Sequence, residues 1–175
     1  MGFTPLAGTI MGTRCGDIDP ALVTYIMEKK GYSIDEVNSY LNKKCGFLGV
    51  SGVSSDCRDL EAAIKEGNHR AKLAIDILIY QIKKYIGSYA AAMGGLDAVV
   101  FTAGIGENTG KIRGGALEGL EFLGIELNKE LNLATYGSSG VTKLSTDASK
   151  VAVYMIPTNE ELVIAQDTEA LVKAL

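Results

Sequence analysis

Apolar residues Ala71, Ala74, Ile75, Leu78, Ile82, Tyr85, Ile86 and Tyr89 recur every three or four positions, which predicts one long helix over residues 68–93. Ile77 and Ile79 widen its apolar face, so cover from more than one neighbour is expected. Upstream, Leu22, Tyr25 and Ile26 share the helical period. Asp19 stands as a cap, Pro20 fits the first helical position and Gly31 closes the run. A second helix is signalled by Ser33 and Glu36, the reciprocal capping pair, with Tyr32 and Val37 placed to pack across its start. Ile34, Val37 and Leu41 form its stripe, and the turn signal at Gly46 predicts its end. The glycine-rich residues 47–53 read as an extended connector. A further helix is expected from about residue 55 to Gly67.

The pattern changes after Gly94-Gly95. Ala98-Val99-Val100-Phe101, within residues 96–102, is a short β-branched run suited to a buried parallel strand. Gly104-Ile105-Gly106-Glu107-Asn108 follows as a loop, and a helix is expected from Thr109 with Ile112, Ala116, Leu117 and Leu120 inward. Residues 124–127 and 151–156 read as strands, whereas 128–150 give no decided pattern. Pro157-Thr158-Asn159 leads into a last helix. A strand, a polar or glycine-rich loop and a helix thus occur twice, which predicts an α/β architecture.

The chain has 175 residues, 47% hydrophobic, enough for one domain or one domain with a helical annex and for a core without disulfides. Its net charge of −4 argues against a general nucleic-acid binder. Three cysteines, Cys15, Cys45 and Cys57, with one histidine, His69, exclude a zinc site of ordinary composition and point to a reducing cytoplasm. The first six residues carry no signal-peptide pattern, and charges within residues 73–93 rule against a membrane span.

Four segments are candidates for chemistry. The 104–108 glycine segment follows a strand, where ligands of open α/β sheets bind, yet a plain tight turn has the same pattern. It matches G-x-G-x-x-G only partly, since Thr109 stands at the third glycine, and it fails the P-loop spacing. Arg14, between Gly12 and Gly16, suits two parallel hydrogen bonds to a phosphate or carboxylate, or a structural pair with Asp17. Thr158-Asn159-Glu160-Glu161 again follows a strand directly; its adjacent acids open the last helix, where they complement its dipole or one holds a hard cation such as Mg²⁺ through water. Asp56-Cys57-Arg58 reads as a cap with a surface arginine. Cys15 and Cys57 read as packing residues, and His69 as solvated.

Taken together, Met11-Gly12-Thr13-Arg14-Cys15-Gly16-Asp17-Ile18-Asp19-Pro20, Gly49-Val50-Ser51-Gly52 with Asp56-Cys57-Arg58-Asp59-Leu60, Val100-Phe101-Thr102-Ala103-Gly104-Ile105-Gly106-Glu107-Asn108 and Ile156-Pro157-Thr158-Asn159-Glu160-Glu161 resemble the acetate kinases, in family order. The resemblance covers the C-terminal half of that family, so residues 1–175 are expected to be a single nucleotide-binding domain without the N-terminal domain. It implies a ribonuclease-H-like α/β domain of the acetate and sugar kinase/Hsp70/actin superfamily, with additional helices. It also implies reversible phosphoryl transfer from ATP to acetate with Mg²⁺, or to propionate, in a cytoplasmic homodimer. Carried over by motif, Arg14 matches the arginine that stabilises the transferring phosphoryl group. Asp56, Cys57 and Arg58 match a nucleotide-contacting segment. Gly104, Ile105, Gly106, Glu107 and Asn108 match the adenosine-binding loop, and Glu160 matches the magnesium-linked glutamate. His69 falls in no family motif. The isolated chain is expected to bind nucleotide weakly and not to turn over.

Overall fold

The computed structural model describes residues 2–174, which form two compact units, one through Ser88 and one from Tyr89. The first is helical: α1 (Ala21–Lys30), α2 (Ile34–Lys43), α3 (Gly46–Ser51), α4 (Cys57–Lys65) and most of α5 (His69–Met93). Asp19 accepts a hydrogen bond from the amide of Ala21 at 2.9 Å. The predicted capping box of α2 is present, with Ser33 and Glu36 each bonded to the other's backbone amide. Helix α2 ends at Lys43, three residues short of the expected glycine.

The predicted connector over 47–53 is instead a helix, α3. Tertiary bonds hold both its ends. The amides of Phe47 and Leu48 donate to the carbonyls of Met11 and Gly12, at 2.9 and 3.0 Å. At the other end, Arg70 of α5 donates from Nε to Val50 O at 2.7 Å and from Nη2 to Gly49 O at 3.0 Å, satisfying carbonyls the short helix leaves unpaired. Phe47, 1% exposed, anchors it in the core with Leu60, Val37 and Leu41.

Along α5 the buried positions are few: Ala71, Ala74, Leu78 and, near its end, Ala90. Ile75, Ile77, Ile79 and Ile82 are half-buried, while Leu73 and Tyr80 are exposed, so the broad cover expected from the sequence is only partial.

The second unit is built on β1 (Ala98–Phe101), β2 (Thr142–Lys143) and β3 (Ala152–Met155), in the order β1-β3-β2. Strands β1 and β3 are parallel, with Phe101 opposite Met155, and β2 is antiparallel to β3. Val151, Val153 and Met155 are fully buried. β1 lies at the sheet edge with Val100 49% exposed, so it is not the buried strand its composition predicted; among the described residues it pairs on one side only, with β3. Residues 124–127 form only single bridges, Ile125 with Val151 and Leu127 with Ser145. The undecided stretch contributes α8 (Lys129–Ala134) and β2. The 104–108 segment is not an open loop but part of a short helix, α6 (Ala103–Asn108), followed by α7 (Gly110–Leu117). The chain closes with α9 (Glu160–Lys173), whose described residues are all exposed, Leu162, Val163, Ile164, Leu171 and Val172 among them.

Because β1 and β3 run parallel in register, the segments after them leave the same end of the sheet. That topology puts the glycine segment and the Thr158–Glu160 turn side by side, at the strand ends where ligands of such sheets lie.

Candidate functional site

In the first unit, Arg14 sits on a turn whose backbone is bonded from several sides. Met11 N donates to Arg14 O at 3.2 Å, closing the turn. Cys15 N donates to Leu41 O, Cys45 N to Thr13 O, and Thr13 Oγ1 to Asn42 O, at 3.0, 3.0 and 2.8 Å. Ile10 N donates to Gln81 Oε1 of α5 at 2.7 Å. The Arg14 side chain is half-buried, and none of the ion pairs among the described residues includes it. Asp17 is not its partner: one carboxylate oxygen accepts from the Tyr85 hydroxyl and the other from Gly8 N. Those two bonds hold the Asp17 carboxyl below the usual range, the tyrosine contributing most. Asp17 therefore closes the loop rather than pairing with the arginine.

The turn also adjoins the second candidate segment, since a Cβ on Gly12 would lie 2.8 Å from the carbonyl oxygen of Ser55. There Asp56 caps α4 through Arg58 N at 2.8 Å and accepts from Arg58 Nε and Nη2 at 3.0 and 2.6 Å. The expected cap is present, and the arginine is its ion-pair partner as well as a surface group. These bonds bring the Asp56 pKa down to about 2, the Arg58 side chain being the main cause. Replacing Arg58 with Ala is expected to return the Asp56 titration toward the ordinary carboxylate range, read by carboxyl-carbon NMR. A lowered folded pKa stabilises above the unfolded value and is lost as pH falls through about 2, so the wild-type ion pair persists at pH 4. An unchanged Asp56 titration in the variant would refute the assignment. Burial pushes the Cys57 thiol up to about 11 and raises Cys15 and Cys45, so all three are protonated packing residues rather than nucleophiles. His69 is exposed at the start of α5.

In the second unit, the chain enters α6 through Ala103, which has φ +59°, a left-handed conformation rare for a residue with a side chain. Such departures persist where surrounding structure over-determines them. Asn108 Nδ2 donates to Gly104 O at 3.0 Å, within the segment. Glu107 reaches across to the turn after β3: its Oε1 accepts from Thr158 N and from Thr158 Oγ1, both at 2.8 Å. These bonds hold the Glu107 carboxyl below its ordinary range. Gly104 is open, with no atom within 4 Å of where a Cβ would stand. Asn159 caps α9 by accepting from Leu162 N at 3.1 Å, and Glu160 and Glu161 stand exposed at its first turn.

The first unit thus brings the Arg14 turn beside the segment leading to Asp56, and the second brings 104–108 to the turn bearing Glu160. One residue of this site carries no mark of chemistry in the sequence. Arg113 bonds the carbonyls of Gly106 and Glu107. Its signal was present, since it stands three, four and seven residues before Ala116, Leu117 and Leu120, in line with the apolar stripe.

The Acetokinase family model matches residues 1–166. The chain is 64% identical over 172 residues to the acetate kinase of Clostridium botulinum (strain Eklund 17B / Type B), covering 98% of this chain and 43% of that protein. Among solved structures, Porphyromonas gingivalis acetate kinase superposes with a TM-score of 0.91 at 47% identity, over 98% of this chain and 43% of the other. A propionate kinase from Francisella tularensis superposes with a TM-score of 0.83 at 40% identity, over 95% of this chain and 41% of the other. The chain spans less than half the length of these relatives, and its fold is theirs over that span.

Proposed function

The chain belongs to the acetokinase family, and on that premise we propose that it is the nucleotide-binding part of an acetate kinase, moving the γ-phosphoryl group of ATP reversibly to the carboxylate of acetate to give acetyl phosphate and ADP. The observation that carries this reading is the bond pair from Thr158 to Glu107, which joins the glycine segment to the Glu160 turn at the ends of parallel strands. Such a pairing offers a nucleotide an open glycine surface for adenosine beside a carboxylate for its metal. Phosphoryl transfer asks mainly for positioning and charge neutralisation.

In this reading Gly104, Ile105, Gly106 and Asn108 present the surface for adenosine, and Glu107 fixes that surface to the neighbouring turn. Asp56, Cys57 and Arg58 form the second nucleotide segment, with Arg58 preorganised by Asp56. Arg14, free of a partner ion, neutralises charge on the transferring group. Glu160 is the magnesium carboxylate. No group of three His, Cys, Asp or Glu among the described residues forms a cage for an ion. A single exposed carboxylate fits Mg²⁺, which keeps several waters and takes phosphate oxygens as further ligands. The ion supplies neutralisation of phosphate charge when bound. Glu160→Ala is expected to raise the Mg²⁺ concentration for half-maximal rate as well as lower turnover; a changed rate with an unchanged Mg²⁺ requirement would remove Glu160 from that role.

Partners follow from the surface. Helix α9 carries apolar residues on more than one side without cover in its unit, and we assign their cover to the portion of the relatives' length that this chain lacks. On the helical unit, exposed Leu22, Tyr25, Leu73 and Tyr80 suit a homodimer contact. A stable one buries about 1,200–2,000 Å² or more. Light scattering is expected to give twice the chain mass; a monomer at high concentration would overturn this. Free thiols suit a reducing cytoplasm, and no helix among the described residues is long and apolar enough to cross a membrane.

The test is a chimera in which this chain replaces the matching segment of the Clostridium botulinum relative. Trapping acetyl phosphate with hydroxylamine is expected to show ATP-dependent turnover, with acetate and propionate compared side by side. A folded chimera that transfers phosphate to neither acid would overturn the function; preference for propionate would move it to that substrate.

A further inference from the structure

Arg113 is 0% exposed, on α7, among Ile112, Ala116 and Leu117. A guanidinium there keeps its charge, and none of the ion pairs among the described residues includes it. All five of its N–H donors are used. Nε donates to Asn132 Oδ1 at 2.9 Å, and Nη2 to the carbonyls of Asn132 and Thr135 at 2.6 and 2.8 Å. Nη1 donates to the carbonyls of Gly106 and Glu107 at 2.8 and 2.9 Å. Asn132, 2% exposed, is itself fixed by donating from Nδ2 to Gly110 O at 2.7 Å.

Burying a cation without an anionic partner is costly, and an apolar side chain of similar volume would fill the space at less cost. What an apolar residue cannot do is bond two separate segments, 106–107 and 132–135, at fixed angles. Two of the five bonds end on the last turn of α6, whose carbonyls a six-residue helix leaves without helical partners. Glu107 is thereby held at its backbone by Arg113 and at its carboxylate by Thr158.

We propose that Arg113 is the positioning residue of the nucleotide segment: its planar fork sets the backbone of Gly106 and Glu107 against the 132–135 turn, and so the placement of the Gly104 surface relative to Thr158. This rests on the reading of 104–108 as the nucleotide segment. The guanidinium touches no substrate; it acts through the segment. Lysine would keep the charge but reach the acceptors of one segment rather than of both, because its donors radiate from a single point.

The test uses Arg113→Lys in this chain and in the chimera, with Gly104→Val as the probe of the underlying reading. In this chain, hydrogen exchange is expected to speed by about tenfold or more at residues 104–108 and at Thr158, while amides of 152–155 change by less than about twofold. In the chimera, the apparent KM for ATP is expected to rise by about tenfold or more, with the acetate KM within about twofold of the parent. Equal acceleration of exchange throughout, or an unchanged ATP KM, would make Arg113 a general fold element and overturn the proposal. Arg113→Met repeats the exchange measurement without charge; protection retained at 104–108 in that variant would equally overturn it. Gly104→Val adds bulk to open space and is expected to raise the ATP KM. If it does and Arg113→Lys does not, positioning alone fails. If Gly104→Val leaves the ATP KM unchanged, the nucleotide reading itself fails and takes the proposal with it.

Discussion

Arg14→Ala in the chimera is expected to lower kcat by about 10³ to 10⁵ while changing the ATP KM little. In a loose phosphoryl-transfer transition state, charge spreads over equatorial oxygens that a bidentate guanidinium matches better than it matches bound ATP. The structure supplies two conditions for that role. The turn is bonded on both sides, to Leu41, Asn42, Cys45 and Phe47, so the side chain springs from a fixed base. Asp17, the nearest acid in sequence, is occupied by Tyr85 and Gly8, so no described carboxylate neutralises the charge in advance. Arg14→Lys should restore little, because a point charge cannot form the fork. Steady-state kinetics over ATP and acetate decide the matter. A raised ATP KM with kcat near the parent value would make Arg14 a ground-state binding residue.

Gly46→Ala is expected to be the most damaging small substitution for stability in the helical unit. Gly46 has φ +66°-like handedness in common with Gly31, its own value being +61°, but the two differ in surroundings. A Cβ on Gly46 would stand 2.0 Å from Met11 O and 2.7 Å from Arg14 O, both backbone atoms of the Arg14 turn. At Gly31, which ends α1, nothing lies within 4 Å. Left-handed backbone alone costs a residue with a side chain about 1–2 kcal/mol, and forced overpacking about 1–3 more. Gly31→Ala is thus expected to lose about 1–2 kcal/mol and Gly46→Ala roughly 2–5 kcal/mol in urea unfolding. Equal losses at the two sites would mean that the Met11–Arg14 turn moves aside freely, and with it the rigid base ascribed to Arg14.

Much of the local structure was legible because its causes are local. Ser33 and Glu36 cap α2 through bonds spanning three residues, and the α5 stripe repeats within one helix. The motif carrying Arg14 and the glycine segment stood out for the same reason: glycines flank residues whose chemistry has no local use. The errors have one origin. The 47–53 segment looked extended because glycine weakens a helix, yet Arg70 from α5 and carbonyls from the Arg14 turn bond its two ends. The 104–108 segment looked like an open loop, yet Arg113 and Thr158 wind and hold it. β1 looked buried from its composition, which says nothing of how many strands flank it.

By itself the sequence determined the longer helices, the capping box of α2, the α/β alternation of the second half, the packing role of Cys15 and Cys57, and the four motifs that carry the family resemblance. Each depends on spacing along the chain, and spacing is what a sequence records. Only the tertiary structure decided that Asp17 belongs to Tyr85 rather than Arg14, that Glu107 turns to Thr158, and that a buried Arg113 joins two segments, 106–107 and 132–135. Those pairings join residues from 6 to 68 positions apart by directed hydrogen bonds. A side chain with several possible partners finds its own only when the backbone brings one acceptor within about 3 Å and aligns it.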